Sequence, residues 1–346
     1  LYERAKLLAK APNLLERLDD ALDALGVVNE QKNRRCLYIA ATARLLDKPV
    51  NVIVKGPSSS GKTYLMMKVL ELFPASAFIN YTSVSAKYLA YSNDDLRHRI
   101  VVLYEVAGLS EGEGAYIMRS LLSEGRLRTG TVDKDASGTL QARTVNKDGP
   151  AALFTTTTRA GIDHETETRL LSLSTTDDAG QSRAINRYTA SKYEGTLREA
   201  VDLEPFQALQ EWLAVAGERR VTIPYGRYLA EQVPCLTVRI RRDFSTLLSL
   251  IAACAILHQA QRPRTNDGRI IATSDDYRIV YDLLGDAFTA AQQDGITPKQ
   301  RDAVEVVHAI CEKQKERADT PDGLTGASVA DVAAHLALSL IHISEP

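Results

Sequence analysis

The run Gly56-Pro57-Ser58-Ser59-Ser60-Gly61-Lys62-Thr63 carries the strongest chemical signal in the chain. Glycine at each end allows a turn that exposes successive backbone amides, lysine adds a mobile positive charge, and the threonine hydroxyl can hold a divalent cation. Such a set cradles a phosphate chain, and Tyr64, the next residue, is counted with it. Further along, Arg99-Ile-Val-Val-Leu-Tyr104-Glu105 ends an apolar run on a carboxylate. A carboxylate there can orient and deprotonate a water that attacks the terminal phosphate. Tyr104 stands where an aspartate would ordinarily help to hold Mg²⁺. The metal then rests on Thr63, phosphate oxygens and water, unless Glu105 serves it instead. The ligands implied are ATP and Mg²⁺.

These groups need a rigid scaffold, and the flanking pattern supplies one. Val50 to Val54 is a short β-branched run leading into the glycine turn, and Tyr64 to Leu72 has helical spacing, which gives strand, loop, helix. Ala77 to Tyr81, Ile100 to Leu103 and Ala151 to Thr157 are further apolar runs suited to central parallel strands buried on both faces. Arg126 to Val145 alternates around the breaker Asp135-Ala-Ser-Gly138 and predicts a β-hairpin. Upstream, Leu14, Leu18, Leu22 and Leu25 mark an amphipathic helix, and a second is expected from Gln31 to Leu46. Beyond about Gly195 helices dominate, at Phe206 to Val215, Asp243 to Gln259, Ser274 to Gln292 and Arg301 to Lys315.

At 346 residues, 45% hydrophobic and 25% charged, the chain reads as an ordinary globular protein of roughly two or three domains. A formal net charge of −2 excludes a generally basic nucleic-acid coat, so any such contact must come from a local cluster. The four cysteines, Cys36, Cys235, Cys254 and Cys311, lack CxxC spacing and are expected to be buried thiols. His98, His164 and His258 have no spacing that suggests metal or acid–base work. No run is long enough to span a bilayer and no signal peptide is visible, so a cytoplasmic location without membrane contact is expected. The chain starts at Leu1 and not Met, and residues 340–346 are set aside as a non-native tail, so a longer natural protein is expected.

From Tyr38 to Thr168 the order of blocks resembles the AAA+ ATPases of the minichromosome-maintenance helicase type, with phage and mobile-element replication helicases nearest. The resemblance rests on GPSSSGKT, Asn80-Tyr-Thr-Ser83, Val-Val-Leu-Tyr-Glu105, Met118-Arg-Ser-Leu-Leu-Ser-Glu-Gly125 and the hairpin ending Thr139-Leu-Gln-Ala-Arg-Thr144. It implies an α/β fold, an AAA+ P-loop core with a central parallel sheet over 31–195, preceded by a helical linker over 1–30. An α-helical lid over 196–295 and a truncated winged-helix-like segment over 296–339 are expected to follow. By the same resemblance, Thr157 or Thr156 is the polar sensor on its strand. Arg169 is an arginine finger given to a neighbouring subunit, with Arg159 as competitor, and the lid arginine that meets the nucleotide is Arg242 before Arg239 or Arg241. A finger of this kind implies a homo-oligomeric ring, a hexamer by similarity.

The hairpin of the resembled family enters the ring's pore and grips single-stranded DNA through a lysine near its tip, here Lys134. Arg126, Arg128, Arg143 and Lys147 lie on or beside the same hairpin and would add local positive charge. A solvated hairpin whose charges only keep an edge soluble has the same composition. The resemblance thus points to a DNA helicase or translocase, with a primase as a partner or upstream domain. Two other readings stay open: an ATPase that remodels a protein partner, and a slow ATP-binding switch or loader, to which Tyr104 lends support.

Overall fold

A computed structural model describes residues 1–82, 88, 92–104, 120, 122–134, 140–158, 164–196, 201–233 and 239–293. Three helices open the chain, α1 (Tyr2–Ala9), α2 (Leu14–Ala24) and α3 (Gln31–Thr42). Leu14, Leu18 and Leu22 are fully buried on one face of α2, as their spacing requires. In α3 every residue from Cys36 to Thr42 is buried, because the helix packs against α2 and also against two helices introduced below. The Cys36 thiol is pushed up to about 12 by that burial and is inert at neutral pH.

The centre is a five-stranded sheet. Its strands are β1 (Val52–Lys55), β2 (Phe78–Tyr81), β3 (Arg99–Leu103), β6 (Ala151–Thr157) and β7 (Leu171–Ser174), in the order β2-β3-β6-β1-β7. All pairings are parallel. β6 and all but the terminal residues of β1 and β3 are buried, so they show continuous apolar or threonine runs with no alternation. Between β3 and β6 the chain leaves the sheet to form a separate antiparallel hairpin, β4 (Leu127–Lys134) with β5 (Leu140–Lys147). The hairpin is rooted where Ala151 N–H donates to Gly125 C=O at 3.0 Å.

Helix α4 (Lys62–Leu70) follows β1 and packs on both β1 and α3. After β6 come the one-turn helix α5 (His164–Glu167), β7, and α6 (Ala179–Tyr193), whose Asp178 cap accepts from Gln181 N–H at 2.7 Å. The region after 200 holds α7 (Glu204–Val215), α8 (Gly226–Gln232), α9 (Ile240–Leu257) and α10 (Ser274–Gln293). Helices dominate it, and β8 (Val221–Thr222) and β9 (Ile270–Ile271) form a small parallel pair within it. Residues 1–287 form one compact unit and 288–346 another. The expected helix at 301–315 and the winged-helix segment lie outside the described residues.

A buried arginine joins the helical region to the sheet domain. Arg44, 1% exposed, donates to Gln210 Oε1 at 2.9 Å, to Gln210 C=O at 3.3 Å and to Ala41 C=O at 3.2 Å, and lies over the Phe73 ring. Burial draws its pKa down to about 9, so it is still charged at neutral pH and depends on those acceptors. Gln210 in turn donates to Thr42 Oγ1 at 2.9 Å. Replacing Gln210 by Ala is expected to cost about 2–3 kcal/mol, because the buried Arg44 charge loses its one side-chain acceptor and Thr42 loses its donor. Urea denaturation should show this as a lower midpoint at unchanged slope.

Candidate functional site

β1 delivers the chain to the loop at the carboxyl edge of the sheet. Lys55 C=O is held by Thr175 N–H at 2.9 Å and by the Thr175 hydroxyl at 3.3 Å, and that hydroxyl is 2.8 Å from Ser60 Oγ. Gly56 turns inside this knot. A Cβ on it would stand 2.2 Å from Thr175 Oγ1 and 2.7 Å from Ser60 Oγ, so no side chain fits. Gly61 caps α4 in the left-handed region at φ 82°, a conformation that costs a larger residue free energy. Pro57, Ser58 and Ser59 are exposed, and the first-turn amides of α4 open toward the loop with the positive end of the helix dipole behind them.

Lys62 is 7% exposed, and its ammonium donates to Pro57 C=O at 2.6 Å, closing the loop on itself. An arriving phosphate offers that ammonium a charged acceptor in place of a neutral one, which is a stronger bond. Thr63 is exposed beside it at the helix start, placed to offer its hydroxyl to Mg²⁺. Tyr64 is 47% exposed and anchors its hydroxyl on Leu25 C=O at 2.7 Å, tying α4 to the N-terminal helices. The glycine cradle, the lysine and the hydroxyl fit a nucleoside phosphate with its metal. When bound, the metal would neutralise charge on the phosphates; the residues above hold and orient them.

Neighbouring strands bring the other expected groups. Thr156 and Thr157 are buried, in register with Val54 and Lys55, so both stand next to the loop's root. Leu103 pairs with Thr155, which puts the end of β3 one strand further from the loop. Glu105 and Arg159 lie outside the described residues. Tyr104 donates its hydroxyl to Met67 Sδ at 2.6 Å, and Asn80 Nδ2 approaches the same sulfur at 3.8 Å. Met67 is one turn along α4 from Thr63. Burial raises the Tyr104 phenol, with an Asn80 hydrogen bond pulling the other way, so the group is neutral at physiological pH. It gives the metal no negative charge.

Arg169 and Arg242 are placed together, far from their own loop. Leu171 N–H donates to Asn51 C=O at 2.8 Å, which fixes the start of β7 at the amino edge of the sheet. The loop leaves the carboxyl edge, a strand length of roughly 13 Å away. Arg169 donates to Ser123 Oγ at 2.7 Å, Glu165 C=O at 2.8 Å and Glu165 Oε1 at 3.0 Å. Arg242 donates to Thr168 Oγ1 at 2.6 Å, and both arginines line one cavity of about 440 Å³ with Lys48 and Glu124. Arg242, expected among the nucleotide contacts, therefore does not meet the loop of its own chain. The motif near it fixed a residue type, whereas the edge on which α9 begins is a matter of packing. Arg239 is engaged with Asp243 at 3.4 Å.

The hairpin cations divide as well. Arg126 and Arg128 are exposed, and Arg126 lies 3.5 Å from Glu124. Lys134 ends β4, opposite Leu140, and Arg143 pairs with Thr131. Lys147, expected to meet DNA, is instead 8% exposed and donates to Ser92 Oγ at 2.9 Å and Asp94 C=O at 2.7 Å. It closes the hairpin's base onto the sheet domain, and desolvation lowers its pKa.

Sequence reasoning passed over Thr175 and the ion pair of Lys55 with Glu167. Neither has a motif; only β7, which places both partners, could have revealed them. Among the described residues one group could chelate a metal by proximity, Cys254, His258 and Asp276, all buried. Asp276 already accepts from Arg262 at 2.7 and 2.9 Å and from Thr273 N–H at 2.8 Å. Arg262 supplies the positive charge there, so the group is a closed core network and does not fit a metal.

A glycine-turned loop that caps a helix at the carboxyl end of a central parallel strand defines a P-loop nucleotide-binding protein. The chain belongs to the family described as MTBMA_p00010 P-loop domain, whose model matches residues 7–212. No curated protein matches it. Among the described residues, no helix is long and apolar enough to cross a membrane.

Because Tyr104 brings no charge, Tyr104→Asp is expected to lower the Mg²⁺ concentration that half-saturates nucleotide binding by about threefold or more, while Tyr104→Phe leaves it unchanged. Titrating Mg²⁺ against a fluorescent ATP analogue measures both.

Proposed function

We propose that this chain is the ATP-hydrolysing motor of a ring, hexameric by resemblance, that draws single-stranded DNA through its pore during replication of a phage or mobile element. The reading is carried by the β4–β5 hairpin, which leaves the sheet between β3 and β6 as a separate two-stranded arm rooted at the same edge as Arg169. An arm placed there can face a pore while the arginine faces a neighbour. Lys134, Arg126, Arg128 and Arg143 are the cations assigned to the DNA backbone; Lys147 is withdrawn from that set.

Lys62 and the loop amides hold the phosphates, Glu105 orients and deprotonates the attacking water, and Thr157 or Thr156 senses the terminal phosphate from the strand beside the loop. Arg169 stabilises the charge that develops on the transferred group, and it does so in the adjacent subunit because its own loop is at the opposite edge. Arg242 shares Arg169's cavity and is assigned to the same trans site. Helices α7–α10 serve as the lid, and 296–339 as the winged helix. A slow ATP-binding switch is the second reading, favoured by the uncharged Tyr104.

Turnover is expected to rise when single-stranded DNA is added, and Lys134→Ala should remove the rise while leaving basal hydrolysis. Rates indifferent to DNA and to Lys134 would sink the translocase. The trans arrangement has its own test. Arg169→Ala and Lys62→Ala subunits should each lose about a thousandfold in rate alone, yet regain part of it when mixed, since one supplies the loop and the other the arginine. A finger acting in its own subunit predicts no recovery.

A further inference from the structure

We propose that the ion pair between Lys55 and Glu167 links the state of a subunit's own phosphate loop to the arginine it presents to its neighbour, with Glu167 acting as the positioning residue for Arg169. The proposal rests on the ring ATPase reading above. Lys55 is a two-ended fixture. Its carbonyl is tied through Thr175 to Ser60 on the loop. Its ammonium is paired with Glu167, and both side chains are largely withdrawn from water, at 16% and 14% exposure.

From Glu167 the path to Arg169 is short and stiff. Arg169 N–H donates to Thr166 C=O at 3.0 Å, Leu170 N–H to Glu167 C=O at 3.1 Å and Leu171 N–H to Asn51 C=O at 2.8 Å. A turn closed by consecutive backbone bonds transmits a shift of Glu167 to the residue two positions on. The Arg169 guanidinium rests on Glu165 and Ser123 of its own subunit. It must leave Glu165 to serve another.

Charge gives the coupling its direction. The Lys55 backbone directly precedes Gly56, so a triphosphate settling into the loop raises the negative potential around the pair. Those charges attract the ammonium and repel the carboxylate, and the repulsion is weakly screened because the pair is mostly shielded from solvent. The filled loop therefore loosens Glu167 and with it the turn that holds Arg169. A subunit carrying nucleotide then offers its arginine differently from an empty one, which is a coupling between sites.

The test uses the full chain as it assembles. Wild-type turnover should depend cooperatively on ATP, and Glu167→Gln or Lys55→Met should each bring the Hill coefficient to about one. Nucleotide affinity of either variant, read with a fluorescent ATP analogue, should stay within about threefold of wild type, and the double variant should add nothing to either single change. Lys55→Arg keeps the pair and should keep cooperativity. If Glu167→Gln does not fold, as a melting curve will show, Lys55→Met carries the same test from the other side.

Hyperbolic wild-type kinetics, unchanged cooperativity in both single variants, or additive effects in the double variant would each overturn the coupling while leaving the ATPase in place. A wild-type protein that binds no nucleotide removes the reading on which the coupling stands, and the coupling goes with it. That result is distinguishable because it appears before any variant is made.

Discussion

The turn at Gly56 is the constraint on which the rest depends. β1 must end with Lys55 C=O facing β7, and the chain must then reverse through a space that Thr175 and Ser60 leave too small for any side chain. Only with that knot closed do the first-turn amides of α4 and the Lys62 ammonium converge on one point. β7 is therefore more than an edge strand. It supplies the residue that fixes the loop's root, and the order β6-β1-β7 keeps the root between two parallel neighbours that restrain it from both sides.

The same sheet separates two functions by a strand's length. Parallel strands put all their carboxyl ends, and so the loop and the threonines of β6, at one edge. Their amino ends collect Asn51, the base of the hairpin and the turn carrying Arg169 at the other. Arg169 is engaged at its own edge, by Ser123 and Glu165. In the ring proposed above, a second copy of the chain would bring its amino edge to the first copy's loop. The proposed ring therefore rests on the sheet's geometry as much as on the arginine's identity.

How much of this was legible depended on whether a residue's role is local. The loop states its own conformation: two glycines, a lysine and a hydroxyl at fixed spacing describe a turn that forms wherever a strand feeds a helix, and the structure places Lys62 at the start of α4. The central strands were equally plain, because burial on both faces leaves a continuous apolar run. β7 was not. Leu171-Ser-Leu-Ser174 is short, and its alternation reflects an edge strand with one face in the core, a pattern too brief to separate from a turn. With β7 unseen, Thr175 and Glu167 had no address. Lys147 and Arg242 show the complementary limit, since charge and spacing suggest a surface but do not say which surface. Lys147 turns inward to close the hairpin, and Arg242 begins its helix at the far edge.

Tyr104 shows what the scaffold permits when a charge is missing. A carboxylate in its place would face the metal's surroundings from the end of β3; the phenol instead reaches back to Met67, drawing together β2, β3 and α4 through Asn80 and the sulfur. The exchange gives up electrostatic hold on the metal and gains packing under the helix that carries Thr63. A metal bound here would lean more heavily on phosphate oxygens, so metal and nucleotide affinities would depend more strongly on each other.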